Sequence, residues 1–337
     1  MNKLVAELQH QLRERQVRQL VVIADATVSA LYPHYWDELS QEFPTIFMEV
    51  PAGDASKSLM QAERLWQQLL AARCDRDVFI LNFGGGMVCD LGGFVAATYK
   101  RGVRFANCPT TLLAMIDAAV GGKNGINVQH VKNCVGTFCQ PEFELPCDLS
   151  FLHTLPEKEL LSGFGELMKY AIIGSPALFC ELEALERLTP GHIQPEWVDE
   201  CISVKHEIVK RDPYDLLERH VLNSGHTYGH AIESLFAEEG RPVAHGEAVA
   251  LGLLYESRLM AQIGQCAQAD ASRVERMVRR LYHVPAFTED EVLRLVDFMQ
   301  QDKKNRDGHV HFVQMRGVGD VSPDCRVALD LCAKVIR

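Results

Sequence analysis

Residues 78–94, VFILNFGGGMVCDLGGF, run from a short apolar stretch straight into three consecutive glycines and on to a second glycine pair. Val78–Leu81 has the composition of a buried strand, Gly84–Gly86 that of a tight turn, and the residues after it continue as a helix. Working outward, Leu20–Ile23 (LVVI) is a second apolar run ending at Asp25, and between the two, Leu59, Ala62, Leu65 and Leu69 recur at helical spacing within residues 56–73. Strand, helix, strand, glycine turn, helix is the rhythm of a parallel sheet with crossover helices. Glycines between a strand and a helix also let backbone N–H groups approach a phosphate at the positive end of the helix. The spacing is not G-x-G-x-x-G, so a tight turn serving only packing is as good a reading of this stretch alone.

Beyond about residue 150 the strand signals fade. Helical periodicity covers roughly 157–173, 196–210, 227–236, 247–263 and 271–282, and Ala248–Leu254 is apolar all round, which predicts a central buried helix. His309–Met315 alternates and predicts a late strand. The N-terminal MNKLVAELQHQLRERQ places Leu4, Leu8 and Leu12 on one helical face and lacks the continuous apolar stretch of a secretory signal. A chain of 337 residues is expected to form two domains, residues 1–150 and 151–337, with a cleft between them as the default site.

Composition narrows the partners. With 45 acidic against 34 basic residues the net charge is −11, which disfavours phosphate backbones and anionic lipid, so neither nucleic acid nor membrane is an expected partner. No apolar run reaches the roughly 18–20 residues that span a bilayer. The 11 cysteines are an odd number without a C-x-x-C pair, consistent with small buried hydrophobes in a reducing, cytoplasmic setting.

Polar residues cluster in three further places. PTTLLAMIDAAVGGKNGIN (109–127), followed by Lys132 and Asn133, brings two hydroxyls (Thr110, Thr111), Asp117 and two lysines beside glycines, a pattern suited to a small phosphate. His226 and His230 are four apart in GHTYGHAIE, so a helix sets them on one face; His245 follows in AHGEAVA and Glu166 precedes in FGELMKY. Two imidazoles and a carboxylate suit zinc or a similar divalent ion with open positions for substrate oxygens, and Thr227 in place of glutamate excludes H-E-x-x-H. Spacing alone leaves open which of His226 and His230 ligates. Lys169, Lys205, Arg219 and Asn223 complete the set, an arginine near a metal being a natural carboxylate clamp and, equally, a solvated basic face.

In this order, GGGMVCDLGGFVAATYKRGV, PTTLLAMID, GGK, KN, TLPEKELLSGFGELMK, LNSGHTYGHAIE and HGEAVA resemble the 3-dehydroquinate synthase family of sugar-phosphate cyclases over nearly the whole chain. The resemblance implies an α/β Rossmann-like N-terminal domain that binds NAD and an all-α C-terminal domain that supplies a divalent metal, zinc or cobalt. It implies NAD contacts at Asp25, Asp54, Lys57, Gly85, Gly86, Met87, Asp90, Thr110, Thr111, Lys132, Thr154, Leu155 and Glu159. The implied metal ligands are Glu166, His226 and His245. Substrate phosphate would meet Lys123, Asn133, His230 and Lys303 or Lys304, with Arg101 reaching across a homodimer. Asp117, Lys169, Lys205, Asp215, Arg219, Asn223 and His230 would hold and turn over the sugar acid. The implied reaction oxidises a secondary alcohol transiently with NAD, eliminates phosphate, returns the hydride and closes a carbocycle.

The chain departs from the family at several points. Asp54 and Asp215 stand where glutamate is common, Met87 replaces a small β-branched residue, DPYDLLERHVLN lacks a glycine before Arg219, and the N-terminus reads as helix where the family opens on a strand pair. These departures bear on substrate identity and keep in play a specialised cyclase acting on sedoheptulose 7-phosphate or another sugar phosphate. The other readings are a metal-dependent NAD alcohol dehydrogenase of similar architecture, against which Lys123, Lys132, Asn133 and His230 count, and a non-catalytic sensor, which should have lost one of Glu166, His226, His245, Asp117 or Lys169.

Overall fold

The computed structural model describes residues 3–129, 131–301 and 309–336 and divides into two compact units, Met1–Thr154 and Leu155–Arg337. The first holds α1 (Lys3–Glu14), β1 (Leu20–Asp25), α2 (Ala26–Leu31), α3 (Pro33–Ser40), β2 (Thr45–Val50), α4 (Leu59–Ala71), β3 (Phe79–Gly84), α5 (Gly86–Thr98), β4 (Arg104–Pro109), β5 (Lys123–Val128) and β6 (Val131–Phe138). β1 to β4 form a parallel sheet in the order β2-β1-β3-β4, while β5 and β6 pair separately as an antiparallel hairpin.

The two apolar runs of the sequence are the central strands. Every residue of β1 and β3 is buried, whereas β2, on the edge, is only partly so. That is the pattern expected when a parallel sheet is covered on both faces. α4 buries Ala62, Leu65 and Leu69, and α5 buries Val88, Leu91 and Val95, in one core with Val21, Ile23 and Ile80 of the sheet. One polar pair interrupts the apolar interior: Asn82 Nδ2 donates to Asn107 Oδ1 (2.9 Å) across directly opposed positions of β3 and β4. Strand order reverses between β1 and β3, so the carboxyl ends of these strands form the usual ligand-facing edge of such a sheet.

The second unit contains α6 (Glu157–Gly174), α7 (Pro176–Glu183), α8 (Pro195–Arg211), α9 (His226–Glu238), α10 (His245–Gln262), α11 (Gln268–Leu281), α12 (Glu289–Gln301), β7 (His309–Gly317), β8 (Asp320–Ala328) and α13 (Leu329–Lys334). It is helical except for one hairpin: the strand expected near His309 is β7, and it pairs antiparallel with β8. α10 is the central helix, buried almost throughout from Gly246 to Met260.

α6 and α10 meet backbone to backbone. A Cβ on Gly165 would lie 1.9 Å from the carbonyl oxygen of Gly246, and one on Gly246 would lie 1.7 Å from that of Ser162. The Gly246 N–H is bonded there by Ser162 Oγ (3.1 Å). No larger residue fits this crossing without separating the helices.

The cysteines are free, with Cys74, Cys89, Cys108, Cys201, Cys266 and Cys332 buried, and burial pushes the Cys89 and Cys108 thiols up. Among the described residues no helix is long and apolar enough to cross a membrane.

Replacing Gly246 with alanine should therefore lower the stability of the second unit by about 1–3 kcal/mol or more, as overpacking does. Urea unfolding followed by helical circular dichroism reads this directly. An unchanged midpoint would show that the helices separate at no cost.

Candidate active site

Glu166 lies on α6 one residue beyond Gly165, His245 opens α10 one residue before Gly246, and His226 opens α9. The close crossing of α6 and α10 thus sets the first two side chains next to each other. His245 Nε2 is 3.2 Å and His226 Nε2 3.6 Å from Glu166 Oε1. Their donor atoms lie within 4.8 Å of one another, close enough to ligate one ion. The other nitrogen of each ring is also held: His226 Nδ1 faces the Ser224 carbonyl (3.1 Å) and His245 Nδ1 faces Glu233 Oε2 (3.2 Å). Such contacts fix ring orientation and leave Nε2 for a metal. The second carboxylate oxygen of Glu166 is paired with Lys169 Nζ at 2.6 Å.

The two imidazoles differ in charge. Burial lowers the His226 pKa to about 3, with the Lys169 charge helping against Glu166, so the ring is neutral, as a ligand must be. Burial also works against the His245 cation, but hydrogen bonds to Glu166 and Glu233 outweigh it and raise the pKa to about 10.

His226 and His230 have different neighbours. His226 faces Glu166, while His230, exposed and one turn on, groups with Glu233 and His245. The second unit buries three basic side chains: Lys169 and Arg219 are each 1 % exposed and Lys205 5 %. Arg219 and Asn223 lie on a 3-10 turn, Glu218–Asn223, that leads into α9. Arg219 Nη1 donates to the Pro213 carbonyl (3.0 Å).

In the first unit, Asp25 ends β1 and caps α2, accepting from the N–H groups of Thr27 (2.9 Å) and Val28 (3.2 Å). Gly85 begins α5 without a side-chain cap. Thr110 N–H bonds the Gly84 carbonyl (3.0 Å), and a Cβ on Gly85 would come within 3.0 Å of Thr111. Asp25, Gly85, Gly86, Met87, Thr110 and Thr111 therefore share the carboxyl-end edge of the sheet. An uncapped helix N-terminus flanked by glycine is what a pyrophosphate requires. Lys57 pairs with Asp90, and Asp54 accepts from Asn127 Nδ2 (3.1 Å). Thr154 is bonded to Tyr32. Asp117 lies in a π-helical turn, Ala114–Ala118.

Family models of the 3-dehydroquinate synthase N-terminal and C-terminal domains match residues 47–162 and 163–305. The chain is 41 % identical over 317 residues to the 3-dehydroquinate synthase of Rhodospirillum rubrum, covering 89 % of this chain and 80 % of the relative. It belongs to the 3-dehydroquinate synthase family.

Two solved structures share the fold of this family member. A 2-deoxy-scyllo-inosose synthase complexed with carbaglucose-6-phosphate, NAD+ and Co2+ superposes with a TM-score of 0.88 at 22 % identity, over 100 % of this chain and 95 % of that one. A 2-epi-5-epi-valiolone synthase from Streptomyces hygroscopicus with NAD+ and Zn2+ bound gives 0.85 at 25 %, over 100 % and 94 %.

The remaining expected residues lie on other elements. Lys123 opens β5 and Lys132 lies near the start of β6, so the hairpin register separates them by about four residues, roughly 13 Å. The local lysine cluster is drawn out along the hairpin. Leu155 and Glu159 belong to the second unit, at and just before the start of α6, and Arg101 is exposed after α5. Lys303 and Lys304 lie outside the described residues.

Two residues of consequence escaped the sequence reading. Glu233 orients His245; it shares a face of α9 with His226 and His230, a seven-residue spacing that could have found it. Asp212 ends α8 and accepts the N–H groups of Leu216 (2.9 Å), Leu217 (2.7 Å) and Arg219 (3.1 Å), which hold its carboxyl down at about 2. It shapes the loop carrying Asp215 and Arg219, and its Asp-Pro step was the available signal.

A lowered pKa means that the Asp212 contribution is complete above the ordinary carboxylate range and disappears as pH falls through about 2. D212N should accordingly be less stable than the parent at pH 6, with the difference narrowing steadily toward pH 2 in urea titrations. A gap independent of pH would show that the carboxylate charge contributes nothing to holding this loop.

Proposed function

We propose that this protein is a 3-dehydroquinate synthase, converting 3-deoxy-arabino-heptulosonate 7-phosphate to 3-dehydroquinate and inorganic phosphate. The observation that carries the reading is the fully buried Arg219, held on the turn that runs into metal-site residue His226. A planar guanidinium fork fixed by its Pro213 contact is suited to a substrate carboxylate, which neutral sugar phosphates lack.

His226 Nε2, His245 Nε2 and Glu166 Oε1 would hold one divalent ion, zinc or cobalt, whose chemistry when bound is Lewis-acid polarisation of a hydroxyl or ketone oxygen. Asp25, Gly85, Gly86, Met87, Thr110 and Thr111, with Asp54, Lys57, Asp90, Lys132, Thr154, Leu155 and Glu159, would hold NAD, which supplies a hydride acceptor and returns the hydride with no net redox. Lys169, Lys205 and Asn223 would hold the ring hydroxyls. Lys169 also pairs with the buried Glu166 carboxylate. Lys123, Asn133 and His230 would hold the leaving phosphate, together with a lysine of the DKK segment and Arg101 from a second copy of the chain. Asp117 and Asp215 complete the acid–base set. The carbon–oxygen lyase would act in the cytoplasm as a homodimer, in the formation of the aromatic precursor ring.

One observation favours a second reading, a specialised cyclase for a neutral sugar phosphate such as sedoheptulose 7-phosphate. Asp215 sits at φ +57° in a loop without glycine, so this wall of the site is built differently from the family pattern.

Phosphate release with NAD+ and zinc, offering the heptulosonate phosphate, sedoheptulose 7-phosphate and glucose 6-phosphate separately, distinguishes these readings. Release from the first substrate alone, without lasting NADH absorbance, is expected; release from a neutral sugar phosphate would support the second reading, and NADH accumulating on a polyol would indicate a dehydrogenase. Arg219→Met should raise KM for the carboxylate substrate about a hundredfold or more. Unchanged KM would make the arginine structural.

A further inference from the structure

α9 begins at His226, so its first N–H groups have no partner within the helix. The residue before it, Gly225, is left-handed at φ +80° and brings no side-chain cap. The cap comes from another helix. Glu256 on α10, 3 % exposed, accepts the Gly225 N–H on Oε2 (2.7 Å) and the Thr227 N–H on Oε1 (3.2 Å). These two amides are the immediate neighbours of His226 on either side.

The geometry depends on a second close approach. A Cβ on Gly252 would lie 1.8 Å from the Gly225 carbonyl oxygen, so α10 touches the start of α9 at backbone distance. Glu256 is one turn beyond Gly252, and His245, Val249, Gly252 and Glu256 follow one another along a single face of α10. One helix therefore carries a metal-site imidazole at its N-terminus and, three turns on, the carboxylate that fixes the start of the helix bearing the other imidazole. A carboxylate at a helix N-terminus is favoured by the helix dipole as well as by the two hydrogen bonds.

We infer that Glu256 is a positioning residue for the metal centre. By clamping the amides either side of His226 it sets the rotation of that residue, and hence where Nε2 stands relative to His245 and Glu166. The inference rests on the reading of Glu166, His226 and His245 as metal ligands. It extends that reading to a residue in none of the sequence patterns discussed above.

The test is cobalt(II) binding to the purified full chain, titrated against a chelator and followed by the visible absorption of the bound ion, for the parent, E256Q and Y228F. In E256Q an amide N–H faces one backbone N–H, so one of the two bonds is lost while volume is kept. Y228F loses the Tyr228 hydroxyl bond to the Cys332 carbonyl (3.0 Å) on the same helix and serves as the control for stability alone. All are measured well below their unfolding midpoints. E256Q should bind cobalt 10- to 100-fold more weakly, the range seen for lost contacts behind metal ligands, with a shifted spectrum. Y228F should match the parent. Parent-like affinity and spectrum in E256Q would overturn the inference, as would an equal loss in Y228F. A parent that binds no stoichiometric cobalt would instead overturn the metal-site reading itself. Should E256Q fail to fold, E256D, one methylene short of both amides, takes its place with the same expected weakening, and parent-like binding by E256D overturns the inference equally.

Discussion

The contact on which the second unit depends is the crossing of α6 and α10 at Gly165 and Gly246. At backbone distance, with carbonyl oxygens where a Cβ would stand, the two helices present Glu166 and His245 as neighbours without long side-chain reach. Burial makes that neighbourhood costly unless its charges are matched. Lys169 pairs with one oxygen of Glu166, and His245 bridges the other to Glu233. A divalent cation would engage the same Glu166 and His245 atoms.

A comparable economy holds in the first unit. Two all-apolar strands must be covered on both faces, and the helices that cover them start at the sheet's carboxyl edge. Asp25 spends its carboxylate on capping α2, whereas α5 begins at glycine and leaves its N-terminus without a side-chain cap. That difference leaves the N-terminus of α5, unlike that of α2, open to a group from outside the helix.

How much of this is legible in the sequence follows from how local each determinant is. β1 and β3 are continuous apolar runs, and α10 is apolar on every side, so each announces its burial within a few residues. The edge strand β2 and the β5–β6 hairpin lack such runs; their identity comes from pairing with distant segments, and residue order alone does not give the register that parts Lys123 from Lys132. At the site, residue types and their order collected Glu166 and His245 with either His226 or His230, and the family resemblance named His226. What escaped are groups acting through backbone amides or a second ring nitrogen: Asp212, Glu233 and Glu256. Their partners lie 7, 12 and about 30 residues away, and only the fold shows which N–H or imidazole each one meets.

Three helices at backbone distance bring two imidazoles and one carboxylate within reach of a single ion. X-ray absorption at the zinc edge of the zinc-loaded chain tests it most directly. One zinc per chain is expected, with two imidazole shells and an oxygen shell at about 2.0–2.2 Å and no sulfur. A sulfur shell at about 2.3 Å, or zinc without imidazole scattering, would place the ion on the cysteines or at the surface and contradict it.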